Sequence, residues 1–208
     1  MNIHVLIPIH KTMDAPCVQS LIAMTTDLYM DGHKVKFIFA NGFNAARARQ
    51  GLLRTLAEDN KKFESEFTLW VDSDHLYYKK DFDSLVQSMK DKDLQLLSGT
   101  YKMRGSEETC HGRYNSDNKF EHIHYKELNE LADGDLVEVS VIGFGFVVMK
   151  TKWLVDMWSK HGDELFKMDI GENGTEDVAF CTKIRKDGHK IFFDPKVRIG
   201  HIEIAVRM

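Results

Sequence analysis

The sequence predicts an α/β protein with a mostly parallel central sheet and helices packed on both of its faces. Short apolar runs rich in β-branched and aromatic residues alternate along the chain with segments whose apolar residues recur at helical spacing. At 208 residues with 43% hydrophobic residues, the chain can bury a substantial core without disulfides or metals as staples. Length and composition together indicate a single domain, residues 1–208.

The first half of the chain shows the alternation most clearly. The apolar run 3–9 (IHVLIPI) is typical of a buried strand, and 35–40 (VKFIFA) predicts a second one. Asn44 is a suitable N-cap for a helix that follows it. In chain order the predicted elements are strand 3–9, helix 15–31, strand 35–40, a helix after Asn44, strand 67–71, helix 81–90 and strand 94–101. Such a β-α-β-α order favours parallel strands.

The second half is less regular. Residues 103–135 lose the alternation and are predicted to form a long irregular insertion, of the kind that serves as a binding loop or a lid. His122 and His124 within it could ligate a metal or belong to an exposed alternating strand. Two strand segments are predicted in 136–149, where Gly143 and Gly145 indicate a close backbone approach to a ligand or to another strand. The remaining predicted elements are helix 150–160, helix 176–186 with Thr175 as its cap, and strand 190–193.

Composition excludes several classes of function. The formal net charge of −4 is spread along the chain, so nothing favours binding to a nucleic-acid backbone. The three cysteines are far apart and odd in number, which argues against a disulfide framework or a structural zinc site. They indicate buried thiols in a cytoplasmic protein. The N-terminus lacks the features of a signal peptide, and no apolar stretch is long enough to span a membrane.

The stretch 67–75 (FTLWVDSDH) is the strongest candidate for a functional site. An apolar strand ends there in two carboxylates, Asp72 and Asp74, which flank Ser73. In an open α/β sheet, ligands collect beyond the carboxyl ends of the strands. Two acids in that place can hold a hard divalent cation, and the cation can hold the phosphates of a nucleotide. An acidic turn that caps the following helix explains the same residues.

Arg47 and Arg49 stand in the first turn of the helix predicted after Asn44. Their position is unusual, because the positive end of the helix dipole disfavours cations there. They are either solvated surface residues or partners of an anion, which could be a phosphate or a nearby carboxylate.

Taken in order, these segments resemble the GT-A fold glycosyltransferases, specifically the small family-two-like enzymes encoded by phages, large DNA viruses and bacteria. No single motif is specific, but the ordered set covers nearly the whole chain. The matching segments are the first strand ending in Ile7-Pro8, NAARARQ (44–50), LWVDSDH (69–75) as the DXD element, LLSGTY (96–101), GFGFVVMK (143–150), GTEDVAFCTKIRKDGHKIFFDP (174–195) and IGHI (199–202). The resemblance implies a Rossmann-like α/β/α sandwich, with a nucleotide-sugar-binding half near 1–101 and an acceptor-binding half near 102–208.

The resemblance also implies a reaction and a metal. The reaction would move a sugar from a nucleotide-diphosphate donor, a UDP- or GDP-sugar, to a hydroxyl of a glycan or other acceptor. Asp74 and His201 would ligate the metal, and Asp72 would bind it through water or hold the donor ribose. A carboxylate together with an imidazole suits Mn²⁺ slightly better than Mg²⁺.

The remaining implied roles concern the two substrates. Asp177 would be the base that takes the acceptor proton, and Glu176 would cap the helix or position the acceptor. Both acids could instead only complement the helix dipole. A single in-line displacement assisted by one base predicts inversion at the anomeric carbon. The donor would contact Pro8, Ile9, His10, Arg47, Arg49, Asp72 and Ser73, and the acceptor would approach Gly143, Phe144 and Gly145.

Two other functions fit parts of the pattern. A sugar-phosphate nucleotidyltransferase normally needs a glycine-rich, basic phosphate loop after the first strand, whereas residues 10–16 read HKTMDAP. A domain of this fold could also bind a glycan or nucleotide without turnover, although its intact acids argue against that. No C-terminal helices or membrane anchor follow His201, which leaves the acceptor class open and allows that the chain is part of a longer multidomain protein.

Overall fold

A computed structural model describes residues 1–42, 44–117, 119–168 and 174–202. Helices and strands alternate largely in the order that the sequence predicts. The strands are β1 (Asn2–Ile9), β2 (Lys34–Asn41), β3 (Phe67–Val71), β4 (His75–Leu76), β5 (Leu96–Thr100), β6 (Glu108–Tyr114), β7 (Phe120–His124), β8 (Val137–Val139), β9 (Phe146–Lys150), β10 (Ile191–Arg198) and β11 (Gly200–His201). The α-helices are α1 (Ala15–Met30), α2 (Ala45–Phe63), α3 (Lys79–Asp91), α4 (Leu128–Ala132), α5 (Thr151–His161) and α6 (Glu176–Lys186).

The central sheet has seven strands in the order β2-β1-β3-β9-β5-β10-β8. Strands β8 and β9 run against the other five, so the sheet is mostly parallel, as predicted. Strand β9 lies between β3 and β5 and pairs with both of them in the antiparallel sense. Two short ladders stand apart from this sheet: β4 with β11, and β6 with β7.

Helices cover the sheet on both faces, which confirms the three-layer α/β/α arrangement. Alternate residues of a strand point to opposite faces. Accordingly, Leu6 of β1 belongs to the core shared with α2, α5 and α6, while its neighbours Val5 and Ile7 belong to the core shared with α1 and α3. All five residues of β3 are buried, as expected for a central strand covered on both sides.

Strands β1 and β3 place their carboxyl ends side by side. They are parallel neighbours, with Leu6 opposite Trp70 in the register. The segment after β1 and the segment 72–74 after β3 therefore emerge at the same edge of the sheet. This edge, together with the start of α2 and the start of α6, frames the candidate site.

The insertion at 103–135 differs from expectation. It is not irregular throughout: β6 and β7 form a hairpin, and the short helix α4 follows. His122 is exposed on β7, in agreement with the alternating-strand interpretation, and the His124 ring accepts a hydrogen bond from the Lys126 backbone. The sequence did not predict strand β6 because four consecutive residues of this strand are buried, so buried and exposed residues do not alternate along it.

The helix caps and the cysteines were both predicted from the sequence. The Asn44 side chain accepts a hydrogen bond from the Arg47 backbone at 2.9 Å and so caps α2, as predicted. Thr175 holds the N-cap position of α6, but its side chain makes no capping bond. The three cysteines are free and buried, as expected. Within the described ranges, no helix combines the length and the apolar character needed to cross a membrane.

Candidate active site

A cavity of about 290 Å³ opens at the edge of the sheet where β1 and β3 end. It contains most of the residues that the sequence assigned to the nucleotide sugar. Its walls include Pro8, Ile9, His10, Arg49, Asp72, Ser73, Asp74 and Glu176. The acid pair after β3 and the helix start at 176 are separated by about half of the chain, and the fold brings them to one cavity.

Arg49 is the buried cation of this cavity. Only 4% of the residue is exposed. Its Nε donates to Glu176 Oε1 at 3.1 Å, and its Nη2 lies 3.4 Å from Asp72 Oδ1. The guanidinium carbon stands 4.7 Å from the centre of the Phe144 ring, within cation–π range. Arg49 is therefore not a solvated surface residue; it is a partner of nearby carboxylates, which was the other interpretation of the sequence.

Asp177 lies in the same electrostatic environment. Its side chain is partly exposed, and burial is the main cause that raises the pKa of its carboxyl. The positive charge of Arg49 acts to lower that pKa, while Glu176 and Asp72 act to raise it. A carboxyl whose pKa is raised towards neutrality is suited to accept a proton near pH 7.

A second group of ligating atoms lies at the rim of the cavity. Asp74, His75 and His201 each offer one ligand atom, and these atoms all lie within 4.8 Å of one another. The two histidines meet because β4 and β11 pair antiparallel with His201 directly opposite His75. Directly opposed residues of such a pair point to the same side, and the rings stack with their centres 4.2 Å apart.

Hydrogen bonds fix the orientation of His201. Its Nδ1 lies 2.9 Å from the Lys102 carbonyl oxygen, to which it can only donate. In the neutral ring, Nε2 then carries the free lone pair, which is the tautomer that a metal ligand needs. Burial acts to lower the pKa of His201, but the Asp74 carboxylate and the Lys102 carbonyl raise it above its ordinary value.

Asp74 is strongly stabilised as a carboxylate. Its Oδ1 lies 2.7 Å from His75 Nδ1, and its Oδ2 accepts from Arg104 Nη2 at 2.7 Å. Partial burial acts to raise the pKa of Asp74, yet the neighbouring His201 and His75 side chains hold this pKa well below its ordinary value. The carboxylate is therefore ionised and ready to ligate a cation at any physiological pH.

The three ligating residues fit a divalent metal. His75 is 1% exposed; its Nδ1 lies 2.7 Å from Asp74 Oδ1, and its Nε2 has no hydrogen-bond partner among the residues that the structure describes. A buried ring nitrogen without a partner is costly unless something else binds it. One carboxylate oxygen and two imidazole nitrogens form a mixed donor set, which suits Mn²⁺ slightly better than Mg²⁺.

The glycines at 143 and 145 make close contact with the protein itself. A Cβ on Gly143 would lie 2.3 Å from the Tyr101 hydroxyl, and one on Gly145 would lie 2.6 Å from the Tyr101 ring. Phe144 between them is fully buried. The close backbone approach was expected, and the side chains that make it are those of Tyr101 and, at Gly143, of Cys110 on strand β6. Contact of this segment with the acceptor stays a prediction.

Arg47 and Arg49 face different cavities, although they are two positions apart on α2. Arg47 is exposed and lines a second, open cavity of about 720 Å³. This cavity lies between the start of α2, residues 163–168 and the start of α6. Glu176 and Ala45 line both cavities, so the two spaces adjoin at the acidic start of α6.

Sequence reasoning missed His75 and Arg104. The signal for His75 was present, since a third potential ligand directly follows Asp74, but a neighbour in sequence on a strand normally points the opposite way. The turn between β3 and β4 and the pairing with β11 bring it back to the cluster. Arg104 belongs to the stretch without pattern, and only the folded chain places it 2.7 Å from Asp74.

Comparisons with known proteins identify the fold. No protein-family model matches the sequence, and no curated protein matches it. A crystal structure of A197 from STIV is similar over 100% of this chain and 97% of its own, with a TM-score of 0.58 and 14% sequence identity. A crystal structure of GalNAc-T7 with UDP, GalNAc and Mn²⁺ is similar over 99% of this chain, with a TM-score of 0.59 and 13% identity.

The chain spans 44% of the length of GalNAc-T7 and nearly all of A197. Identities this low establish the architecture and leave the chemistry to the residues of this chain. The order of the strands, the two helical layers and these neighbours show that the protein has the GT-A glycosyltransferase fold.

Proposed function

We propose that this protein is a metal-dependent glycosyltransferase that moves a sugar from a nucleotide-diphosphate sugar, a UDP- or GDP-sugar, to an acceptor hydroxyl. The observation that supports the proposal is that Asp74, the buried Arg49 and Glu176 line one cavity. His75 and His201 offer ligand atoms beside Asp74, and Asp177 follows Glu176 in the first turn of α6.

The donor would occupy the 290 Å³ cavity. Its base and ribose would lie against Pro8, Ile9 and His10 at the end of β1, and Asp72 and Ser73 would contact the ribose or the diphosphate. Asp74, His75 and His201 would hold Mn²⁺ or Mg²⁺. When bound, the metal neutralises the charge that develops on the leaving diphosphate.

Asp177 would act as the general base. The acceptor oxygen forms its bond to the anomeric carbon while the bond from that carbon to the diphosphate oxygen breaks and its electron pair leaves with the diphosphate. The acceptor proton passes to the Asp177 carboxylate. Because one displacement occurs on the face opposite the leaving group, the configuration at the anomeric carbon is inverted.

Glu176 would serve as a positioning residue at the boundary of the two cavities. It is held by Arg49, so its free oxygen can orient an acceptor that enters from the 720 Å³ cavity. In this arrangement residues 1–101 supply most of the donor site. Residues 102–208 would supply the base, His201 and the acceptor side with Gly143, Phe144 and Gly145; the Phe144 ring lies against Arg49, and the Gly145 carbonyl accepts from the Asp72 backbone N–H. A glycan acceptor and a cytoplasmic location remain parts of the proposal.

Calorimetric titration of UDP and GDP, with and without Mn²⁺, tests the donor site. We expect binding that depends on Mn²⁺ in the wild type and its loss in Asp74→Ala. Asp135→Ala removes an exposed aspartate that pairs with Lys92 and serves as the control. Metal-independent binding, or equal binding by Asp74→Ala, would reject the metal site.

A panel of nucleotide sugars screened for metal-dependent hydrolysis tests the activity and identifies the donor. Release of a nucleoside diphosphate supports glycosyl transfer. Release of pyrophosphate from a nucleoside triphosphate and a sugar phosphate would favour nucleotidyl transfer, and binding without turnover would indicate a binding domain.

A further inference from the structure

We infer that Arg104 is a built-in competitor of the metal. Its guanidinium occupies the ligand atoms of Asp74 and His201 in the metal-free protein and turns to the nucleotide diphosphate when the metal binds. The inference rests on the metal site of the proposed function, and it concerns a residue that neither the sequence nor the fold assigns to the site.

The contacts of Arg104 coincide with those that a metal requires. Nη2 donates to Asp74 Oδ2 at 2.7 Å, and Nε donates to His201 Nε2 at 3.1 Å. The bond to His201 uses the one lone pair left on that ring, because His201 Nδ1 is already engaged with the Lys102 carbonyl. A metal ion at His201 Nε2 therefore has to displace Arg104 Nε, and at Asp74 it competes with Arg104 Nη2 for the carboxylate charge.

Arg104 is free to leave. Its side chain is 56% exposed, and it projects from a tight turn in which Ser106 N donates to the Met103 carbonyl. The only ion pair that holds it among the described residues is the one with Asp74. Exposed long side chains exchange rotamers within nanoseconds, so displacement needs no rearrangement of the fold.

Competition for shared atoms has a thermodynamic consequence. Binding of metal alone must break the pair between Arg104 and Asp74 and leave two cations near each other, which weakens metal affinity. A nucleotide diphosphate removes this cost, because a planar guanidinium binds phosphate oxygens through paired hydrogen bonds. Metal and nucleotide should therefore bind cooperatively, and Arg104 should supply part of that coupling.

Calorimetry with Mn²⁺ alone tests the inference directly. We expect Arg104→Ala to bind Mn²⁺ about three- to ten-fold more tightly than the wild type. This factor corresponds to the free energy of one partly exposed ion pair, which Mn²⁺ no longer has to break. Arg113→Ala is the matched control, since Arg113 is 54% exposed and, within the described part of the chain, its ion pair is with Glu127 at 3.9 Å. It removes the same charge and should leave Mn²⁺ affinity unchanged.

A second titration measures the coupling. Mn²⁺ affinity is measured with and without saturating UDP. The increase in affinity that UDP causes should be smaller in Arg104→Ala than in the wild type, and the increase in Arg104→Lys should be intermediate. Equal Mn²⁺ affinity of wild type and Arg104→Ala overturns this inference and leaves the proposed function intact. Absence of Mn²⁺ binding in both proteins overturns the metal site itself, and the inference with it. Thermal unfolding curves show whether the variants are folded.

Discussion

Arg49 Nε lies 3.1 Å from Glu176 Oε1, and this contact joins the N-terminal part of α2 to the first turn of α6 across 127 positions of sequence. The same guanidinium faces Asp72 at the end of β3. One buried cation thus links the Asp72 carboxylate to the helix that carries the proposed base. Its pKa is raised above the ordinary value, since Asp72, Asp177 and Glu176 together outweigh the effect of burial.

Replacement of Arg49 by Met should change the pH dependence of transfer. Arg49 acts to lower the pKa of Asp177, so its removal should raise that pKa further, by about one unit or more. The acidic limb of the profile of kcat/KM should move to higher pH. Loss of one partner from a buried pair should also lower the free energy of unfolding by about 3 kcal/mol.

Two further variants separate charge from structure. Arg49→Lys keeps the positive charge, so the acidic limb of its kcat/KM profile should lie close to the wild-type pH. Arg54→Met, on an exposed turn of α2, removes a cation whose partner among the described residues is the exposed Asp163, and it should alter neither quantity. A limb that stays in place in Arg49→Met would show that Arg49 does not tune the base.

Asp177→Asn should separate donor binding from transfer. The amide cannot accept the proton, so we expect kcat to fall by about 10²- to 10⁴-fold while UDP binding with Mn²⁺ is retained. Wild-type transfer should decline as pH falls through the Asp177 pKa, which is about 6, because the protonated carboxyl is inactive as a base. Transfer by the variant near the wild-type rate would assign the base to another residue.

The same substitution should stabilise the fold above neutral pH. The pKa of Asp177 is raised in the folded protein, so the folded state favours the protonated carboxyl, and its ionisation costs stability at pH 7 and above. Asp177→Asn removes this cost. Its gain in unfolding free energy should be present at pH 8 and should vanish at pH 4 or below, as measured by urea denaturation. Asp133→Asn, at an exposed helix end, should show no such pH dependence.

His75→Ala should weaken the metal site. If His75 is a ligand, Mn²⁺ affinity in calorimetry should fall by at least about 10- to 100-fold, the range reported for loss of residues that support a metal site. His33→Ala, at the opposite end of the sheet beside the chain's first residue, is the control and should bind Mn²⁺ normally. A role of His75 limited to packing edge-on against Tyr101 and stacking on His201 predicts unchanged Mn²⁺ affinity and a lower melting temperature.

Gly143→Ala should destabilise the fold, because its Cβ would lie 2.3 Å from the Tyr101 hydroxyl and 2.8 Å from Cys110 Cβ. We expect a loss of about 1–3 kcal/mol in urea denaturation. The double variant with Tyr101→Phe should recover part of this loss, since the closest atom is gone. Gly51→Ala provides the opposite control: nothing lies within 4 Å of its added Cβ, and in a helix it should stabilise by roughly 0.5–1 kcal/mol.

The sequence allowed the fold and the outline of the site to be predicted because both have local signatures. β3 is a run of five buried residues that ends directly at Asp72, so apolar pattern and acid pair point to the same place. Asn44 marked the start of α2 through its capping chemistry. Such features depend on residues within one or two turns of each other.

The remaining features depend on contacts that no local pattern encodes. The burial of Arg49 depends on Phe144, nearly a hundred positions away, and the placement of Arg104 depends on His201, which is equally distant. The hairpin of β6 and β7 escaped detection because His111 and Gly112 are buried among apolar neighbours, so the strand does not alternate. Side chains in this class are assigned only when the folded chain is known.

The position of Arg49 over the Phe144 ring has a consequence for the heat sensitivity of the protein. Phe144 is packed edge-on against Trp70, Phe166 and Phe180, so the guanidinium rests on an aromatic cluster that also anchors α6. Arg49 and its carboxylate partners therefore rest on the same aromatic cluster that forms part of the hydrophobic core. We expect inactivation on warming to coincide with melting of the whole domain, with no earlier stage at which the folded protein is already inert.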